Sequence, residues 1–183
     1  MPKAHNSAPS VVGRPNGSGR PARPSQALKR AVLAESGQRC AVPTCLKSPV
    51  GVCRIMDAAD GGKYEFANLI ALCEGCYGRV RTGYLTRRSL KQYKASLTAI
   101  NARYNELERQ LLQAFVQADS HRGVLLPTAM ESETSSLIGD GLVEVRVPGG
   151  EAGADRAVSF REYRLTERGH QLITRWAKAQ PLD

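Results

Sequence analysis

The 183-residue chain carries 26 Lys and Arg against 17 Asp and Glu, a formal charge of +9 that draws it toward anionic partners. That length suits one or two domains, and 42% hydrophobic with 5% aromatic residues provide a modest core. No apolar run approaches the roughly 18 residues of a membrane span and no secretory hydrophobic stretch opens the chain, which excludes a membrane partner. The expected location is cytoplasmic or nucleoid-associated, where five cysteines call for a purpose other than disulfides.

Residues 1–30 hold six basic side chains and no acid, residues 31–120 twelve basic and eight acidic, and residues 121–183 eight basic and nine acidic. Attraction to a polyanion therefore belongs to the N-terminal two thirds. Residues 1–25, rich in Pro, Gly and Ser, read as a disordered basic arm, either solvated without a specific role or a tether for nucleic acid. A first helix is expected from Ser25 as N-cap to Gly37 as its stop.

From Cys40 to Tyr84 the helical period fades and every cysteine appears. Cys40 and Cys45 form one close pair, Cys73 and Cys76 another, and roughly 27 residues separate the pairs. Each short loop can aim two thiolates at one tetrahedral ion, so structural zinc on Cys40, Cys45, Cys73 and Cys76 is expected. A redox pair is disfavoured because no βαβ pattern surrounds it. Cys53 is left over and reads as a small core residue rather than a fifth ligand.

The order of features resembles the zinc-knuckle branch of the HNH endonucleases, the ββα-metal fold. Carrying the resemblance are Cys-x4-Cys, a strand ending in Val52-Cys53-Arg54-Ile55, a Gly61-Gly62-Lys63-Tyr64 turn, and Asn68-Leu69-Ile70-Ala71-Leu72-Cys73-Glu74-Gly75-Cys76-Tyr77. It spans about residues 37–97. In that family a His before Ile activates water, a central Asn orients the site, and a His after the last Cys helps hold a divalent metal. Here Arg54, Asn68 and Tyr77 occupy those positions. A guanidinium does not accept a proton from water at neutral pH, and a phenol is a poor magnesium ligand. The resemblance thus implies a module without hydrolysis or catalytic metal, a pseudo-nuclease. Asp57, Asp60 and Glu65 are the carboxylates that would have to gather a metal near Asn68 in an atypical nuclease.

Arg54 suits a phosphate, and Arg79, Arg81, Arg87, Arg88, Lys91 and Lys94 follow without an intervening acid, either as a solvated face or as a phosphate-contacting surface. Leu90, Tyr93, Leu97, Ile100, Tyr104, Leu107 and Leu111 recur at steps of three and four, which predicts one long helix from about Thr86 to Gln117. Its seam serves either packing within the chain or a homodimer through residues 90–111.

Residues 120–183 read as a separate unit. A capping box at Thr128 to Glu131 opens a helix ending near Gly139 and Gly141; Leu142 to Val147 and Val158 to Leu165 are strands around a Gly-rich loop from Pro148 to Asp155. Thr166-Glu167-Arg168-Gly169 begins a last helix through Trp176. The pattern is similar to the winged-helix domains of bacterial regulators, but Glu131 and Glu133 on the helix that would read bases favour a protein contact.

The expected fold is α+β: residues 1–25 an arm, 26–97 a zinc-stabilised HNH-like module, 98–119 the continuation of the connecting helix, and 120–183 a small winged-helix-like module. The expected function is binding of nucleic acid, mainly through phosphates, or of a nucleoprotein. Two alternatives stand beside it: an atypical metal-dependent DNA endonuclease, and an adaptor or structural subunit of a bacterial defence or phage-encoded assembly.

Overall fold

A computed structural model describes residues 23–117, 122–148 and 160–182. The arm up to residue 22, His5, His121, the Gly-rich loop after Pro148 and the expected strand start at Val158 lie outside the described residues. The architecture is mixed α and β, with two small antiparallel sheets.

The first helix, α1 (Gln26–Glu35), starts where Ser25 accepts a hydrogen bond from the Leu28 N–H. It ends at Gly37 and Gln38, both in the left-handed region, which turn the chain toward Cys40. Strands β1 (Val50–Arg54) and β2 (Leu69–Cys73) pair antiparallel, Val50 opposite Cys73 and Arg54 opposite Leu69. All five residues of β2 are buried, because both faces are covered. Leu69 and Ala71 meet Val32 and its neighbours on α1, whereas Ile70 and Leu72 enter the main core. A two-residue period with apolar side chains at every position is the pattern of a strand between two layers.

Helix α2 (Glu74–Arg81) follows β2 directly, and α3 (Arg87–Arg103) follows after a turn at Gly83. The expected single helix to Gln117 is instead two, with α4 (Glu106–Gln117) beginning after a break at Tyr104 and Asn105. The break is a capping box: Asn105 Oδ1 accepts from the Glu108 N–H at 2.9 Å, and Glu108 Oε2 accepts from the Asn105 N–H at 3.0 Å. The apolar seam runs on across it. Leu90, Tyr93, Leu97, Ile100, Tyr104 and Leu111 are all buried and belong to the main core of the chain.

The C-terminal sheet has an element that the sequence pattern did not reveal. Strand β3 (Val124–Pro127) pairs with β5 (Phe160–Leu165), which also pairs with β4 (Val143–Arg146), giving the order β3-β5-β4. The capping-box helix expected at Thr128 is a 3-10 segment, Thr128–Thr134, with Pro127 as its N-cap, and only α5 (Ser135–Gly139) is α-helical. The last helix, α6 (Glu167–Ala177), starts where expected, with Thr166 as its side-chain N-cap. Gly169 is required there: a Cβ would lie 2.1 Å from the Leu142 carbonyl oxygen.

One core cluster runs from Cys40 through α3 and α4 to Trp176, and polar clamps reinforce it. Glu108 is fully buried, and besides closing its own capping box it accepts from the Ser136 and Leu137 N–H groups at 2.8 and 3.1 Å, at the start of α5. Asp140 accepts from Tyr104 Oη at 2.7 Å and from Arg103 Nε at 2.9 Å, tying the end of α3 to the turn after α5.

Two measurements test these clamps. Glu108→Ala orphans buried N–H groups and should lower unfolding free energy by about 3 kcal/mol, read by urea denaturation, with Glu108→Gln losing less. The Arg103 guanidinium and then the Tyr104 hydroxyl hold the Asp140 carboxyl down at about 2. Its stabilising contribution is therefore complete above the ordinary aspartate value near 4 and is lost as pH falls through about 2. The stability gap between wild type and Asp140→Asn should be constant above pH ~4 and close below it.

Candidate metal centre

Three local structures bring the four cysteines together. Cys40 and Cys45 sit on the loop after α1, which closes through the Cys40 N–H to the Lys47 carbonyl at 3.0 Å and the Cys45 N–H to Val42 at 2.9 Å. The same loop docks on β2 through the Ala41 N–H to the Ala71 carbonyl at 2.9 Å. Cys73 ends β2 and N-caps α2, its Sγ accepting from the Cys76 N–H at 3.5 Å, and Cys76 lies in the first turn.

The four Sγ atoms lie within 4.8 Å of one another, and Cys45 and Cys73 are 3.6 Å apart. A tetrahedron with metal–sulfur bonds of about 2.3 Å has an edge of about 3.8 Å, so the group has the dimensions to bind one ion. Burial raises the Cys40 thiol, and burial followed by the charge of Cys40 raises Cys76. Burial also acts against ionisation of Cys73, but the Cys76 N–H and the surrounding thiols outweigh it and lower that group. A cation that displaces the protons would favour the thiolate form of the group.

Cys53 stands apart, half-buried on β1 and packed against the core, with its thiol pushed up to about 11 mainly by burial. It is outside the sulfur group, as its odd place in the spacing implied.

The three positions that resemble the HNH triad have distinct surroundings. Arg54, at the end of β1, lies with its guanidinium carbon 4.6 Å from the Tyr64 ring centroid. Asn68 clamps the loop between the strands: Oδ1 accepts from the Met56 N–H at 2.8 Å, while Nδ2 donates to the Met56 and Lys63 carbonyls at 3.0 and 2.9 Å. Gly62 fits this loop because a Cβ would overlap the Met56 carbonyl, 1.8 Å away. Tyr77 is exposed on α2. Asp57 and Asp60 form ion pairs with Arg87 at 3.0 and 2.6 Å, and Glu65 is exposed as the N-cap of a 3-10 turn, Phe66–Asn68. Among the described residues, the cysteines form the one group of three or more side chains placed to share a metal.

The expected cationic surface divides. Arg79, Arg81, Arg88 and Lys91 are exposed on α2 and the start of α3. Arg87 is half-exposed and held by its two aspartates. Lys94 is a correction: it is buried, paired with Glu35, and lies 3.6 Å from the Phe66 ring centroid. Glu35 also accepts from Thr98 Oγ1 at 3.1 Å, so this ion pair fastens α1 to α3 and is not available to a phosphate. Its position gave a signal, since Lys94 is four residues after Leu90 and three before Leu97, on the apolar stripe. Sequence reasoning also missed Tyr84, whose exposed ring lies with its centroid 4.5 Å from the Arg79 guanidinium carbon. Its signal was an aromatic residue inside a run of cations.

In comparisons with protein-family models, curated proteins and solved structures, the chain matches none.

Metal removal provides the test of this centre. A strong chelator should unfold the segment from Cys40 to Arg81, seen as loss of amide protection there, because such an ion supplies about 10–16 kcal/mol of apparent free energy. Cys45→Ser should retain metal poorly, whereas Cys53→Ser should keep the full stoichiometry.

Proposed function

We propose that this protein binds nucleic acid through a zinc-stapled ββα module that resembles the HNH fold and lacks its hydrolytic groups. The observation that carries the reading is the exposed set Arg79, Arg81, Arg88 and Lys91, held on two helices that adjoin the cysteine group. No carboxylate among the described residues forms an ion pair with any of the four. Exposed cations without an acidic partner are open to a phosphodiester backbone, and neutralising its phosphates releases counterions.

Zinc is the ion that four thiolates in tetrahedral array suit best, and Cys40, Cys45, Cys73 and Cys76 would hold it in a closed, structural site. Hydrolysis is disfavoured by chemistry at the matching positions. Arg54 is a cation beside Asn68, Tyr77 offers a phenol, and the nearest aspartates are engaged by Arg87. Asn68 serves here as the clamp of the Met56–Lys63 loop.

The C-terminal unit, similar in its helix and hairpin pattern to a winged helix, is proposed to contact protein. This second role is favoured by exposed Leu125, Met130, Val147 and Phe160, on or beside its sheet.

Binding should be largely independent of sequence and should weaken steeply with salt. If each of the four cations neutralises one phosphate, the log–log slope lies between about −2.8 on single strands and about −3.6 on duplex. Removing Arg81, Arg88 and Lys91 together should flatten it to about −1. Lys94→Ala should act through loss of stability rather than through the slope. With magnesium or manganese the wild type should leave a supercoiled plasmid un-nicked; metal-dependent nicking would instead support the endonuclease reading.

A further inference from the structure

The cationic surface also carries aromatic rings that the core does not use. Tyr84 is 73% exposed and Tyr77 is 46% exposed. Tyr84 is presented by a fixed turn: Gly83 takes a φ of 77°, and the Leu85 N–H closes back onto the Arg79 carbonyl at 3.0 Å. Arg79 covers one face of the Tyr84 ring at 4.5 Å, and the ring's high exposure leaves the opposite face to solvent. Tyr77 lies four residues before Arg81, so those two side chains share a face of α2. A tyrosine at either place adds little to the fold. A ring fixed beside a guanidinium is, however, a platform on which a flat heterocycle can stack while its phosphate meets the cation.

We infer that this surface takes an unpaired nucleic-acid strand in preference to a duplex, with a base stacked on the open face of Tyr84 and a phosphate against Arg79. The inference rests on the nucleic-acid-binding reading and narrows its ligand. In a duplex the faces of the bases are already stacked on one another, so exposed rings offer it little beyond their hydroxyls. In a single strand those faces are free, and stacking tolerates any base, which suits a surface whose other contacts are charges. The commitment to an unpaired strand therefore comes from the Tyr84 ring fixed beside Arg79, with Tyr77 on the face of α2 that carries Arg81, since the cations alone would serve either form.

The test is fluorescence anisotropy of the full chain, metal retained, against a labelled oligothymidylate and a mixed-sequence duplex of equal length at one low salt concentration. The wild type should bind the single strand more tightly. Tyr84→Ala should weaken that binding roughly 5- to 150-fold while changing duplex affinity little, and Tyr84→Trp should restore it. Because the ring is exposed, the melting temperature of all three proteins should agree, separating lost stacking from lost fold. Equal or tighter duplex binding, with Tyr84→Ala leaving strand affinity unchanged, would overturn this inference and leave the broader reading standing. Absence of binding to either probe would overturn both.

Discussion

Four thiols held within 4.8 Å of one another are the constraint on which the N-terminal half depends. A shared ion would join a loop, the end of a strand and the first turn of a helix, of which the loop already docks on the strand through the Ala41 N–H and the Ala71 carbonyl. Strand β2 lies with Leu69 and Ala71 toward α1 and Ile70 and Leu72 toward the main core. The direction of α2 follows, because Cys73 both contributes a sulfur and caps the helix. The exposed arginines of α2 thus owe their arrangement to the cysteine group at the start of that helix. Stability and the proposed binding surface are two consequences of one cluster.

The remainder of the chain is joined to this module by a shared core and by polar groups at element ends. Lys94 and Glu35 fasten α1 to α3, Asp140 holds the end of α3, and Glu108 satisfies backbone N–H groups of two helices. Tyr93 Oη donates to the Ala177 carbonyl at 3.2 Å, so even the last helix is tied to α3. Such groups are expensive to leave unpaired when buried, which favours one arrangement over near alternatives. Lys94 and Glu108 are buried because each has partners, in contrast to the cations of α2, which are exposed.

Much of this organisation was legible in the sequence, and the reasons differ by element. The cysteine group was readable because ligand spacing is a local property. The first helix was marked by Ser25 as its cap and the last by the Thr166-Glu167-Arg168-Gly169 run that begins it. The break at Asn105 was hidden because the apolar repeat continues from Ile100 and Tyr104 to Leu111; the competing signal, Asn105-x-x-Glu108, was outweighed by periodicity. Strand β3 is four residues long and ends in proline, too short to declare itself without its partner β5. Lys94 was grouped with its cationic neighbours because charge was counted along the chain, whereas burial depends on which side of α3 a residue occupies.

The central claim is that the cysteines bind one ion in a closed tetrahedral site. The most direct measurement is titration of the metal-free protein with cobalt(II), followed by visible and near-ultraviolet absorption. The account predicts saturation at one equivalent, with the intense d–d bands of tetrahedral cobalt and strong thiolate-to-metal charge transfer, both altered in Cys45→Ser and unchanged in Cys53→Ser. Weak bands of an octahedral, water-rich ion, or no saturable binding, would contradict it and remove the support from beneath α2.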